Sequence, residues 1–292
     1  MTEPGTAGSA ARSQRVSPGS GFVWPEEVPW SRLGDDFIEA WGHDENGDLR
    51  AEHFEVTGQS GSGKSYAVAT MLQQRAQRWD TAELAVLTKE ADDSIPLLGW
   101  PVVTTYDELR HYRQAVYWPQ TGAQGADREA YHEENLYRLL TRIWQPDANL
   151  VIYFDEVRYI ESLSRRLKKQ VRMFWREGRS HGISIMAGAQ RPVEMVRDQH
   201  SESRWKAVFP PADEADMERF AQLLGRWQDW APVLESLDQT QHQFVLRNSF
   251  TKDAYITWID RELRPLPSQQ NQRDQSVPPH VTGGAARQNK RG

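Results

Sequence analysis

Apolar residues in this chain follow two patterns: short continuous runs, and longer stretches in which they recur every three or four positions. The first kind suits strands buried on both faces, and the second suits helices laid across them. Phe54-Glu55-Val56 is a short strand. Ala67, Val68, Met71, Leu72 and Trp79 then fall on one face of a helix. Leu84–Leu87 reads as a strand, Val102-Val103 as a shorter one leading to a helix near Asp107–Tyr112, and Ala115–Trp118 as another strand. A helix over about 129–144 precedes Leu150–Phe154, the longest unbroken apolar run. Ile160, Leu163, Leu167, Val171 and Phe174 form one helical stripe, and Gly182–Ala189 is a further strand. The alternation predicts an α/β fold with a largely parallel central sheet flanked by helices.

Before the first strand, Phe37–Gly42 and Arg50–Val56 flank a polar stretch with Asn46-Gly47 at its centre, which reads as a β-hairpin. Asp44, Asn46, Asp48 and Glu55 also match positions 1, 3, 5 and 12 of a calcium loop. The sixth position is Leu49, where the sharp turn of such a loop needs glycine, so calcium is not expected. Residues 1–20 and 265–292 are rich in Gly, Ser, Pro and Gln without periodicity, and both read as disordered tails around one domain spanning 21–264.

Composition narrows the class. No apolar run reaches the roughly 20 residues of a membrane helix, and Met1–Gln14 lacks the apolar core of a signal peptide. Zero cysteines removes disulfides, thiolate metal sites and cysteine nucleophiles, and the eight histidines show no zinc-ligand spacing. The expected location is the cytoplasm, of a bacterial cell or in association with a virion. A net charge of −6 argues against a globally basic DNA-binder, so any nucleic-acid contact has to come from a local patch.

The chemistry starts directly after Val56. Thr57 is followed by Gly58, Gln59, Ser60, Gly61, Ser62, Gly63, Lys64 and Ser65, a complete phosphate-binding loop between a strand and a helix. Glycines let the backbone wrap so that its N–H groups and the helix N-terminus face an anion. Lys64 adds a point charge toward the β/γ-phosphates, and the Ser65 hydroxyl takes a place on Mg²⁺. A Gly/Ser-rich linker could carry the same letters, but the strand before and amphipathic helix after favour nucleotide binding, with ATP and Mg²⁺ as ligands.

Asp155-Glu156 ends the apolar run Leu150–Phe154, at the strand edge where open α/β sheets place ligands. If that strand is beside the phosphate-loop strand, Asp155 serves as a Mg²⁺ ligand, directly or through water, and Glu156 as the base for the attacking water. Alone, such a pair equally suits the start of a helix. Gln190 closes the strand Gly182–Ala189, where its amide could touch both that water and the γ-phosphate.

Together GQSGSGKS, VIYFDEV and FWREGRSHGISIMAGAQRP resemble the FtsK–HerA superfamily of ring-forming DNA-translocating ATPases, over roughly residues 50–260. The resemblance implies a RecA-like P-loop NTPase fold and a homo-oligomeric ring, expected to be hexameric, acting on double-stranded DNA. It also implies Lys64 and Ser65 as nucleotide residues, Asp155 on Mg²⁺, Glu156 as base and Gln190 as γ-phosphate sensor. Arg176 and Arg179 match the family's arginine-bearing segment and are both candidates for a finger. The chain lacks the membrane helices, winged domain and N-terminal barrel of larger members. It therefore resembles compact packaging ATPases or mobile-element transfer proteins, for which a portal or membrane-vertex protein is a possible partner.

Arg158–Arg191 carries nine Lys/Arg against Glu161 and Glu177 in an otherwise acidic chain. Outside the apolar stripe lie Arg165, Arg166, Lys168, Lys169, Arg172 and Arg176, and of these Arg165, Lys168, Lys169 and Arg172 are the expected DNA-phosphate contacts. A solvated helix face would read the same way. Most of the 12 tryptophans, such as Trp79, Trp144 and Trp258, suit the core, while Trp24 and Trp30 could pack on a neighbour or near an adenine. Two other functions remain open: a nucleotide-switched assembly ATPase moving a protein partner, and the ATPase part of a terminase.

Overall fold

A computed structural model describes residues 21–43, 50–79, 81–90, 98–191 and 197–260. In chain order the elements are β1 (Glu26–Glu27), α1 (Trp30–Gly42), β2 (His53–Thr57), α2 (Lys64–Arg78), β3 (Ala82–Val86), β4 (Val102–Val103), α3 (Tyr106–Leu109), β5 (Gln114–Tyr117), α4 (Gly125–Ile143), β6 (Leu150–Phe154), α5 (Val157–Leu163), α6 (Arg165–Glu177), β7 (Ile183–Ala189), α7 (Arg197–Glu202), β8 (Ser203–Val208), α8 (Glu214–Leu224), α9 (Trp227–Glu235), β9 (Phe244–Asn248) and β10 (Ala254–Thr257). The two tails, the calcium-like stretch 44–49 and Pro192 lie outside the described residues.

The strands of the described residues form one sheet in the order β1-β10-β9-β8-β2-β7-β6-β3-β5-β4. From β8 to β4 every pairing is parallel, and β9 runs antiparallel to both β8 and β10. Successive residues of the central strands face opposite layers, as strand periodicity requires. Val151, Tyr153 and Met186 pack with α1 and α2, whereas Ile152, Phe154, Ile183 and Ile185 pack with α4, α5 and α6. A third cluster joins Val208 and Val245 to Phe220, Leu224, Trp230 and Val233 of α8 and α9.

The expected hairpin is not formed, because Trp30–Gly42 is a helix. Trp30, Leu33, Phe37, Ile38 and Trp41 recur at helical spacing and are buried, a period hidden when Phe37–Gly42 is read alone. Phe37 meets Phe54 at 5.5 Å and Trp205 at 5.0 Å between ring centroids. Truncating such a ring to Ala typically costs ~3–5 kcal/mol. Trp30 is 1 % exposed and donates its indole N–H to Gln74 Oε1 at 2.8 Å, so it belongs to this core and not to an adenine. Trp24 packs against the third cluster.

The stripe over 160–174 also needs correction. It is shared by two helices, broken at Ser164, whose hydroxyl accepts from Leu167 N at 3.3 Å and caps α6.

Candidate active site

Parallel strands end together, so the loops after β2, β6, β7 and β8 share one edge of the sheet, and β9 starts there. The loop after β2 is the glycine-rich one. Gly58, Gly61 and Gly63 all have positive φ (146°, 77° and 96°), which admits the tight wrap that other residues resist. Gly63 begins α2 without any side-chain cap, leaving the first-turn N–H groups to an anion. Lys64 Nζ folds back and donates to the carbonyls of Gly58 and Gln59, both at 2.6 Å. Ser65 is the second residue of α2.

The strand bearing Asp155 is not the neighbour of the phosphate-loop strand, contrary to the condition set from sequence. β7 lies between β2 and β6. This brings Gln190, directly after β7, between the loop and the two acids. The junction is tight: Gly58 N donates to Ala189 O at 3.2 Å, and a Cβ on Gly188 would stand 2.8 Å from Asp155 O. The small residues Ala187-Gly188-Ala189 allow that approach.

Asp155 is 8 % exposed and Glu156 follows as the N-cap of α5. Tyr153 Oη donates to Asp155 Oδ1 at 3.0 Å. Lys89, just beyond β3, places Nζ 2.5 Å from Asp155 Oδ2 and 3.7 Å from Glu156 Oε1. Its neighbour Glu90 pairs with Arg128 of α4 at 2.7 Å, and Arg128 also donates to Thr88 O at 3.0 Å. Sequence reasoning missed Lys89. Its signal was only that it stands just beyond the end of Leu84–Leu87, after Thr88, much as Asp155 stands after Leu150–Phe154. The Ser65 hydroxyl and the Asp155 carboxylate are hard oxygen donors suited to Mg²⁺, and the ammonium already seated on Asp155 shows that this oxygen faces a place favouring positive charge.

Arg176 and Arg179 are elsewhere. Arg179 lies in the 3-10 turn Gly178–His181 before β7, and β7 has seven residues, so at ~3.3 Å per residue it is ~23 Å of strand away from Gln190. It pairs with Glu52 at 3.6 Å and Glu202 at 3.5 Å, while Arg176 pairs with Asp198 of α7 at 3.1 Å. Behind them His53 is buried, with Nδ1 accepting from Ile185 N at 3.0 Å and Nε2 facing Trp175 O at 2.9 Å. Burial, with Arg179 adding to it, pushes its pKa down to about 3.

On α6, Arg165, Lys168, Lys169 and Arg172 are all exposed, but they are not equivalent. Arg172 approaches Asp198 at 3.7 Å. Arg166, an exposed neighbour, is held by Glu133 at 2.8 Å and Glu134 at 3.1 Å. Glu161 of α5 is buried, which raises its pKa against the pull of Lys168 and Arg172. These acids come from α4, α5 and α7, so part of the positive stripe is neutralised within the chain. Among the described residues, Arg165, Lys168 and Lys169 make no ion pair, and only Arg172 of the four does.

A scan against protein-family models gives no match, and neither does a search of curated proteins. Solved structures do match. B204, the DNA-packaging ATPase from Sulfolobus turreted icosahedral virus, is 12 % identical with a TM-score of 0.54, over 72 % of this chain and 98 % of that one. VirB4 of Thermoanaerobacter pseudethanolicus is 9 % identical with a TM-score of 0.53, over 75 % of this chain and 95 % of that one. The pCW3 conjugation coupling protein TcpA, in its monomer form with ATPγS, is 14 % identical with a TM-score of 0.52, over 83 % of this chain and 73 % of that one. The chain therefore has the fold of FtsK–HerA-type P-loop ATPases. Among the described residues, no helix is long and apolar enough to cross a membrane.

Proposed function

We propose that the chain is an ATP hydrolase that works as a ring, hexameric or otherwise closed, and drives duplex DNA, as in genome packaging or conjugative transfer. The observation that carries this reading is the meeting of the phosphate loop, Gln190 and the Asp155-Glu156 pair at one sheet edge, with the cationic helix α6 two elements after β6. Gly58–Gly63 and the start of α2 hold the triphosphate, and Lys64 moves from its own loop carbonyls onto it. Glu156 takes the proton of the attacking water, and Gln190 aligns that water against the γ-phosphate. Ser65 and Asp155 would hold Mg²⁺, which when bound would supply charge neutralisation on the phosphates. Arg176 or Arg179 cannot serve its own phosphate loop from the opposite sheet edge, which supports a role across a subunit boundary.

Measuring ATP hydrolysis with and without duplex DNA tests this reading. Stimulation by DNA is expected. Hydrolysis indifferent to DNA but stimulated by a protein partner would instead support the nucleotide-switched assembly ATPase, and would leave α6 as an ordinary solvated face.

A further inference from the structure

The reading above leaves the nucleoside end of the nucleotide without a seat. Topology decides the side on which it lies. β2 has β7 and β6 on one side and β8 and β9 on the other. Asp155, Glu156 and Gln190 are on the first side, so the γ-phosphate points there and the nucleoside extends over the second. The segment there is Asp238–Gln243, between α9 and β9.

This segment overhangs the phosphate loop. His242 ends the 3-10 turn Gln239–Gln241 in the left-handed conformation, φ 55°. It packs so closely on the start of α2 that a Cβ on Gly63 would lie 2.9 Å from His242 Cβ and 3.0 Å from the imidazole Cγ. A cavity of about 130 Å³ lies between Gln59–Ser62 on one side and Pro210 and Gln239 on the other. The turn is held rigidly: Asp238 Oδ1 accepts from Thr240 N at 2.8 Å, and Gln243 Oε1 accepts from Asp238 N at 2.9 Å. His242 and Gln239 are nonetheless exposed. A fixed backbone bearing an open aromatic ring and an open amide next to a phosphate site is built to take a flat, hydrogen-bonding group.

Resting on the ATPase reading, we infer that the Asp238–Gln243 turn is the nucleoside-binding subsite, with the His242 imidazole stacking on the nucleobase and the Gln239 amide meeting base or ribose. Trp24 and Trp30, engaged in the interior, have no part in it.

The test compares ATP with inorganic tripolyphosphate, which has the phosphates without the nucleoside, both with Mg²⁺. His242→Asn keeps a residue that tolerates the left-handed backbone while removing the ring. Gln239→Ala removes the amide. The expected result for His242→Asn is a loss of about tenfold or more in ATP affinity, the size of one base–aromatic stack, with tripolyphosphate affinity within about twofold of wild type. Gln239→Ala should show the same selectivity. Unchanged ATP affinity in both variants would overturn the proposal. So would equal loss of both ligands, which marks a purely structural support of the loop. If wild type binds neither ligand, the nucleotide reading itself fails, and tripolyphosphate binding by wild type separates that failure from this one.

Discussion

The Lys89 ammonium stands 2.5 Å from Asp155 Oδ2, a bridge between the ends of the paired strands β3 and β6. The same ammonium is 3.7 Å from Glu156 Oε1, so one cation orders both acids. Lys89→Met should lower kcat by about tenfold or more while MgATP affinity stays within about threefold, because Lys89 is not on the phosphate loop. Steady-state kinetics with a fluorescent-nucleotide titration checks this, and an unchanged kcat would remove Lys89 from the reaction.

In the proposed reaction Lys64 binds the phosphates and Glu156 serves as the base, so their variants should separate. Lys64→Ala is expected to lose MgATP binding and hydrolysis together. Glu156→Gln keeps the shape without the base and should bind ATP but turn over about 10²-fold or more slowly. Equal loss of binding in both would leave Glu156 without its assigned role.

Sequence-independent binding to DNA rests on neutralising phosphates, and its salt dependence reports how many are neutralised. Replacing Arg165, Lys168, Lys169 and Arg172 with Ala should flatten the log–log salt slope on duplex DNA by about 0.9 for each phosphate that is no longer neutralised. Arg172 already faces Asp198, so Arg172→Ala alone should change the slope less than Arg165→Ala. DNA-free hydrolysis should hardly change. A quadruple variant with the wild-type slope would move the track to another surface.

Subunit mixing addresses the finger. Subunits carrying Glu156→Gln mixed with subunits lacking Arg176 or Arg179 should regain activity above both parents, since an arginine given across an interface can be worth ~10³ or more in rate. Mixtures that never exceed the parents would move the finger to another residue.

How much of this was legible beforehand follows from where the signal was local. The phosphate loop, the acids after Phe154, Gln190 and the buried strands are each contained in one short window. The partners of the arginines are not: Asp198, Glu133 and Glu134 stand on other elements and meet α6 only through tertiary packing. Likewise, β7 entering between β2 and β6 is a topological fact that no window holds. Helix α1 was missed for a different reason, since its stripe becomes clear only when Trp30 and Leu33 are read with Phe37 and Trp41. His242 carried no signal at all, as an isolated histidine in a polar turn.

His53 supplies a pH test of the fold. Its native pKa, near 3, lies below the ordinary 6.5, so the unfolded chain binds more protons between these values, and stability present above pH 6.5 is lost on acidification toward pH 3. The loss approaches ~1.4 kcal/mol per pH unit within that window. His53→Gln should be less stable at pH 8, having lost the geometry to Trp175 and Ile185, yet show a shallower decline than wild type between pH 6.5 and 5. Denaturant melts across that range read it directly, and an unchanged slope would assign the acid sensitivity to other groups.

Both outermost strands of the sheet, β1 and β4, are two residues long, and a proline, Pro25 or Pro101, precedes each. Edges so short and blunted offer almost no ladder for another chain to extend, which guards against fibrous growth through the sheet. In the proposed ring, copies of the chain would then meet through surfaces other than these sheet edges. With the phosphate loop at one end of the strands and Arg179 at the other, an interface between those ends would join unlike surfaces, and such a head-to-tail contact closes into a ring where the rotation between subunits allows it and extends as a filament where it does not.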